Sequence, residues 1–206
     1  MVRKVLWMIS ALLIISSPAR AQALQRFQTI RSDPRLQAQL AQIVDTAVRR
    51  ALGKEAALPE GLDPVFQRPM GVFVTAKRGD EVRGCMGSLQ PKQGSLAEEI
   101  VKNLDLAFTR DPRHRPIRQE ELPGMEIYLS AVGDPQPVFR WDALSPARDG
   151  ILLKSGSKEA VVLPGEAKTL RYLLAFAKAK AGIRRGEAYQ LYRLPAEVLS
   201  VALPVR

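Results

Sequence analysis

The chain has 206 residues, 46% of them hydrophobic and 25% charged, with 31 Lys and Arg against 21 Asp and Glu. This composition excludes a disordered or low-complexity protein. A formal charge of +10 points toward anionic partners, while one Cys and one His exclude an internal disulfide and a structural zinc site built from those ligands.

Residues 1–21 have the layout of a secretory signal. Arg3 and Lys4 make a positive start, residues 5–15 (VLWMISALLII) are apolar, Ser16, Ser17 and Pro18 break the run, and Ala19-Arg20-Ala21 offers a cleavage site. The run falls short of the roughly 20 residues that span a bilayer. No Cys follows it to carry a lipid. The expectation is a periplasmic or secreted protein with no integral membrane segment after cleavage. Removing Arg3, Lys4 and Arg20 lowers the formal charge from +10 to +7.

Residues 22–31 read as a polar leader. Asp33-Pro34 then opens a helix whose apolar face carries Leu36, Leu40, Ile43, Val44, Ala47 and Val48, with Gly53 ending it. Residues 54–69 hold three prolines and read as an irregular connection. Residues 71–77 and 82–86 form the two arms of a hairpin around a polar turn, which places Cys85 on the far arm. Ser95-Leu96-Ala97-Glu98 is a capping box, and the helix it starts runs to Asp111-Pro112. After a polar loop, residues 125–132 alternate as a strand. A turn follows at 134–137. Residues 150–154 and 159–163 form a second hairpin around Ser155-Gly156-Ser157. A helix spans 169–181 with Gly182 as its stop, and two last strands cover 188–194 and 197–203. Hairpins mixed with about three separated helices predict an α+β fold of antiparallel strands. The loop at 133–149 is the best place for a division between lobes.

Chemistry-bearing motifs are few. Phosphate-binding, dinucleotide, zinc-protease and serine-hydrolase signatures are absent, and no cofactor or metal is expected. The pairs Glu98-Glu99 and Glu120-Glu121 read as solvated faces. The unusual stretch is Arg83-Gly84-Cys85-Met86-Gly87-Ser88. Flanking glycines permit close approach of a ligand, and successive free amides in the bend can form an anion-binding nest. Arg83 would lower the thiol pKa if it reached Cys85. A lone Cys is also a common buried apolar side chain. The one histidine, His114, reads as a surface loop residue.

The chain resembles the AMMECR-type domain family. The matching pieces are Gly71-Val72-Phe73-Val74-Thr75, Arg83-Gly84-Cys85-Met86-Gly87-Ser88, Ser95-Leu96-Ala97-Glu98, Ala107-Phe108 with Asp111-Pro112-Arg113, Glu121-Leu122-Pro123, Glu126-Ile127 with Ser130, Val162-Leu163-Pro164 and Tyr192-Arg193. The resemblance implies a compact α+β fold of two unequal lobes around a cleft, with the R-G-C-x-G segment near it. It also implies an association with Memo-type and radical-SAM proteins, and no established reaction. His114 stands where the family has a bulky aromatic, and Leu163-Pro164-Gly165-Glu166 replaces its L-P-Q-V.

Two functions are expected from these residues. In the first, the segment 83–88 binds or modifies a small anionic or redox-related ligand. Cys85 is then the reactive thiol, and Arg83, Gly84, Met86, Gly87 and Ser88 are the ligand-binding residues. In the second, a basic surface carrying Lys168, Arg171, Lys178, Lys180, Arg184 and Arg185 makes a non-enzymatic interaction module for an envelope protein or an anionic surface. Nucleic acid ranks last as a partner, because export and the scarcity of interleaved aromatics argue against it.

Overall fold

The computed structural model describes residues 18–203. The start of the expected signal lies outside the described residues.

Three stretches depart from the expected pattern. Helix α1 (Pro18–Ser32) begins ahead of the expected cleavage position and runs through the expected leader. Ala23, Phe27 and Ile30 recur at helical spacing and are buried, so these residues are a core helix. Arg26 fixes it further, donating to the backbone carbonyls of Val65, Arg68 and Pro69. Within the expected irregular stretch, Asp63 caps a one-turn helix α3 (Pro64–Gln67) that buries Phe66 completely.

Gln136–Pro137, expected within a turn, form a short strand because they pair with Arg193 and Tyr192 far along the chain, and the other elements follow the sequence pattern. Asp33 accepts from the Arg35 amide and opens α2 (Pro34–Ala51). The Ser95 hydroxyl accepts from the Glu98 amide and opens α4 (Leu96–Thr109). Thr169 caps α5 (Leu170–Ala181), and Gly182 ends it in the left-handed conformation at φ +67°. The strands are β1 (Phe73–Arg78), β2 (Glu81–Gly87), β3 (Met125–Val132), β4 (Gln136–Pro137), β5 (Gly150–Ser155), β6 (Lys158–Val162), β7 (Gln190–Leu194) and β8 (Ala196–Ala202). They form two antiparallel sheets, ordered β2-β1-β3-β8 and β4-β7-β5-β6. The α+β expectation therefore holds, with α1 and α3 added to the three expected helices.

The chain passes from the first sheet to the second between β3 and β4 and returns between β7 and β8. Because β3 and β8 pair with each other, residues 136–194 are an insertion between neighbouring strands. The Gly133 amide donates to the Pro195 carbonyl at 2.7 Å and ties the two crossings together.

Strand alternation sorts the packing. Val74, Ala76, Ile127 and Leu129 face α1, α2 and α4 in the main core. Ile151 and Leu153 face Leu173 and Ala177 of α5 in a second core. Leu152, between them, points the other way. It meets Cys85, Val132, Leu163 and Leu194 in a third cluster drawn from both sheets. Among the described residues no helix is long and apolar enough to cross a membrane.

Candidate functional site

Residues 82–88 run along β2, the outer strand of the first sheet, into the bend before α4. Glycine is required here by the protein's own packing. A Cβ on Gly84 would lie 2.0 Å from the Ala107 carbonyl oxygen of α4. One on Gly87 would lie 2.4 Å from the Cα of Phe73. The close approach these glycines permit is thus of α4 and β1 onto β2.

The β1–β2 register slips between Ala76 and Lys77, which leaves Arg83 as a bulged residue. Val82 packs in the Cys85 cluster in its place. Arg83 turns to Glu121, with Nη1–Oε2 at 2.7 Å, and approaches Glu81 at 3.5 Å. Its guanidinium is thus committed to carboxylates rather than to the thiol. Burial raises the Cys85 pKa to about 11, with the Glu166 carboxylate adding to the rise. The Thr75 hydroxyl, which donates to Sγ at 3.1 Å, opposes it along with Lys180 and Arg113. Cys85 is 6% exposed and keeps its proton at neutral pH, whereas thiol nucleophiles act as thiolates.

The central amide of the expected nest is filled from within. The Cys85 amide donates to Asp111 Oδ2 at 2.8 Å, and its carbonyl accepts from Arg113 Nη2 at 2.9 Å. Arg113 grips Asp111 with both Nε and Nη2, at 2.9 and 2.7 Å. Burial alone would raise the Asp111 pKa, but the bonds from Arg113 and from the Cys85 and Arg113 amides bring it down to about 2. Beyond Gly87, buried Glu99 accepts from the Lys92 and Gln93 amides at 2.8 Å each. It also takes Asn103 Nδ2 at 3.1 Å and lies 3.5 Å from Ser88 Oγ. Met86 and Ser88 are half-buried. The structure therefore brings the segment's expected residues together as a braced strand end.

Other residues take roles the sequence reading did not assign. Thr75, Asp111, Arg113 and Glu99 surround the segment, although Asp111 and Arg113 were legible as the D-P-R piece. Glu166 folds back on the Leu163 amide at 2.7 Å and lies 4.0 Å from Lys180 Nζ, beside the third cluster. His114 gives its amide to the Asp111 carbonyl. No hydrogen bond joins its ring to Cys85. A cavity of about 320 Å³ between α2 and the 119–123 loop is lined by Val48, Leu52, Leu122 and Leu203, none of them a candidate residue. Among the described residues no three His, Cys, Asp or Glu side chains gather as a metal site.

The second expected surface has a different character. Residues 136–194 carry eleven Lys and Arg against five Asp and Glu, whereas residues 22–135 carry sixteen against fifteen. The inserted unit thus holds nearly all the surplus charge. It also holds every large hydrophobic side chain exposed among the described residues: Phe139, Trp141, Tyr172 and Tyr189. Tyr172 stacks on Phe176 at 5.9 Å between centroids, and Lys178 sits 4.2 Å over the Tyr189 ring. Lys168 pairs with Asp80, and Lys180 donates to the Val161 carbonyl. Arg171, Arg184 and Arg185 are exposed and form no ion pair among the described residues.

Comparison with known proteins agrees with this architecture. The AMMECR1 family profile matches residues 41–199, from α2 into β8. A Thermotoga maritima protein is 31% identical over 161 residues, 75% of this chain and 91% of that one. A Clostridium acetobutylicum protein is 31% identical over 123 residues, 59% of this chain but 26% of its relative. The crystal structure of an uncharacterised protein from Pyrococcus horikoshii shares the fold with a TM-score of 0.60 and 26% identity, covering 77% of this chain and 89% of that one. Since the matched region takes in both sheets, the braced R-G-C-M-G strand and the basic insertion, the chain belongs to the AMMECR1 family.

Proposed function

We propose that the protein is a non-enzymatic interaction module of the cell envelope that presents its 136–194 unit to an anionic partner. The observation that carries this reading is the segregation of surplus positive charge and exposed aromatic side chains onto that unit. Positive surface of this kind steers and holds anionic partners. The state of the first candidate site adds support. Its thiol is packed and protonated, and a small anion reaching for the Cys85 amide would have to displace Asp111 from it. The envelope location rests on the layout of residues 1–21, and cell fractionation tests it: recovery in the cytosolic fraction alone would remove that part.

Binding to immobilised poly-L-glutamate tests the surface. Retention at about 0.05 M salt should fall steeply by about 0.5 M, because exposed charge contacts are screened. The triple variant Arg171→Glu, Arg184→Glu, Arg185→Glu should lose retention, and Cys85→Ala should keep it. Retention that survives the triple reversal, or vanishes in a folded Cys85→Ala protein, overturns the reading.

A further inference from the structure

Three loops meet at one end of the second sheet. The β4–β7 register pairs Gln136 with Arg193 and Pro137 with Tyr192, and the Val138 amide continues it to the Leu191 carbonyl at 3.0 Å. Phe139 therefore emerges beside Gln190 and Tyr189. The β5–β6 turn reaches the same end, since Lys154 pairs with Gln190 and Ser155 Oγ donates to the Ala188 carbonyl at 2.7 Å. Lys158 joins it to the third loop through Glu187, with Nζ–Oε1 at 2.9 Å.

The 139–143 loop is held at both ends, because Val138 and Leu144 pack in the second core beneath α5. Between them Phe139 stands 95% exposed and Trp141 51% exposed. Arg140 lies between these rings in sequence, Lys154 and Lys158 flank the β5–β6 turn, Lys178 covers Tyr189, and Arg184 and Arg185 lie on the loop whose Glu187 binds Lys158. The pairs Asp142–Arg140, Glu159–Lys154 and Glu187–Lys158 balance three of these cations, and Glu187 also accepts from the Arg184 amide; Lys178, Arg184 and Arg185 remain as the positive surplus.

We infer that this end of the sheet docks on an anionic lipid bilayer, with Phe139 and Trp141 entering the headgroup region and Arg184 and Arg185 on the lipid phosphates. This rests on the reading of the 136–194 unit as the anion-facing surface. Bilayer rather than protein is favoured by shape and residue type. Protein hot spots sit in packed patches ringed by other contacts. Here both rings stand on one short loop, with Phe139 almost fully exposed, an arrangement that a soft interface admits. Trp and Tyr prefer the membrane–water boundary, and nearby Lys and Arg are drawn to anionic leaflets.

The test uses the chain from Pro18 onward. It carries every described element, omits the apolar run that would bind lipid by itself, and keeps Trp141 as its one tryptophan. Vesicles of phosphatidylcholine with about 30% phosphatidylglycerol at about 0.1 M salt should sediment with the protein, and pure phosphatidylcholine should not. Trp141 emission should shift to the blue on binding. Phe139→Ala should weaken partitioning about tenfold with an unchanged melting temperature. Arg184→Glu with Arg185→Glu should weaken it by on the order of 30-fold or more. Binding that leaves Trp141 emission unmoved, or no binding to the anionic vesicles, overturns the inference. If the vesicles fail while poly-L-glutamate still retains the protein, the partner is an acidic protein and only the lipid assignment falls. If both fail, the basic-surface reading falls with it.

Discussion

The Asp111 carboxylate holds the backbone amide of Cys85 at 2.8 Å, on the side of β2 where no further strand pairs. Arg113, clamped to the same carboxylate, donates to the Cys85 carbonyl at 2.9 Å. The two side chains together do what a neighbouring strand residue would do, and they close an edge that would otherwise invite foreign strands.

Removing the carboxylate should therefore cost more than one hydrogen bond. Asp111→Ala strands a buried amide and frees a clamped guanidinium, for an expected loss of about 2–4 kcal/mol. Asp111→Asn keeps an acceptor and should lose less. Urea unfolding reads both, with a shift in midpoint and an unchanged slope expected.

The same pair sets an acid limit. The folded Asp111 pKa lies near 2, below its unfolded value of roughly 3.9, so the unfolded chain binds the proton more readily. The stability it contributes is present above about pH 4 and is lost as pH falls toward 2. Subtracting the stability–pH curve of Asp111→Asn from that of the parent should isolate a step in that window. A flat difference curve would contradict the assignment.

The thiol sets an alkaline counterpart. Its folded pKa of about 11 lies above the unfolded value of roughly 8.5. Its contribution is present below about pH 8.5 and declines as pH rises toward 11. Iodoacetamide at pH 8 should leave native Cys85 unmodified and label it once the chain is denatured, with mass spectrometry as the readout. Rapid labelling of the native protein would place the sulfur at the surface.

Gly84→Ala should be severely destabilising. The added Cβ lands on the Ala107 carbonyl, and backbone cannot yield cheaply, so a loss of about 3 kcal/mol or more is expected. At Gly87 the obstruction is also backbone, the Cα of Phe73 and the carbonyl of Val72. Thermal melts of the two Ala variants, each well below the parent, would support both close approaches.

Phe27→Ala tests whether α1 belongs to the core. Phe27 is 1% exposed within the main cluster, and its truncation should cost about 3–5 kcal/mol. A loss under about 0.5 kcal/mol would mark the helix as peripheral.

Most of the fold was legible because its signals are local. Asp33, Ser95 and Thr169 cap helices through their own neighbours, and Gly182 stops one by adopting positive φ. Helix α1 is not legible in the sequence, because its apolar stripe is thin and set among Gln and Arg. Its role depends on carbonyls of residues 65–69, far away in the chain, that accept from Arg26. The segment 83–88 could be singled out, but not interpreted. Free and occupied amides look alike in a sequence, and Asp111, which occupies the Cys85 amide, lies in another loop.

By itself the amino-acid sequence determined the capped helices and the hairpins, the α+β class, the family motifs and the size of the positive surplus, since each depends on residue identity and near-neighbour spacing. Only the tertiary structure decided that Cys85 is packed between two sheets, that Arg83 answers to Glu121, and that Phe139, Tyr189 and Arg184 share one end of a sheet. Those outcomes turn on a one-residue bulge and on strand pairings across the chain. Both are set by how the surfaces pack together, which local propensity does not encode.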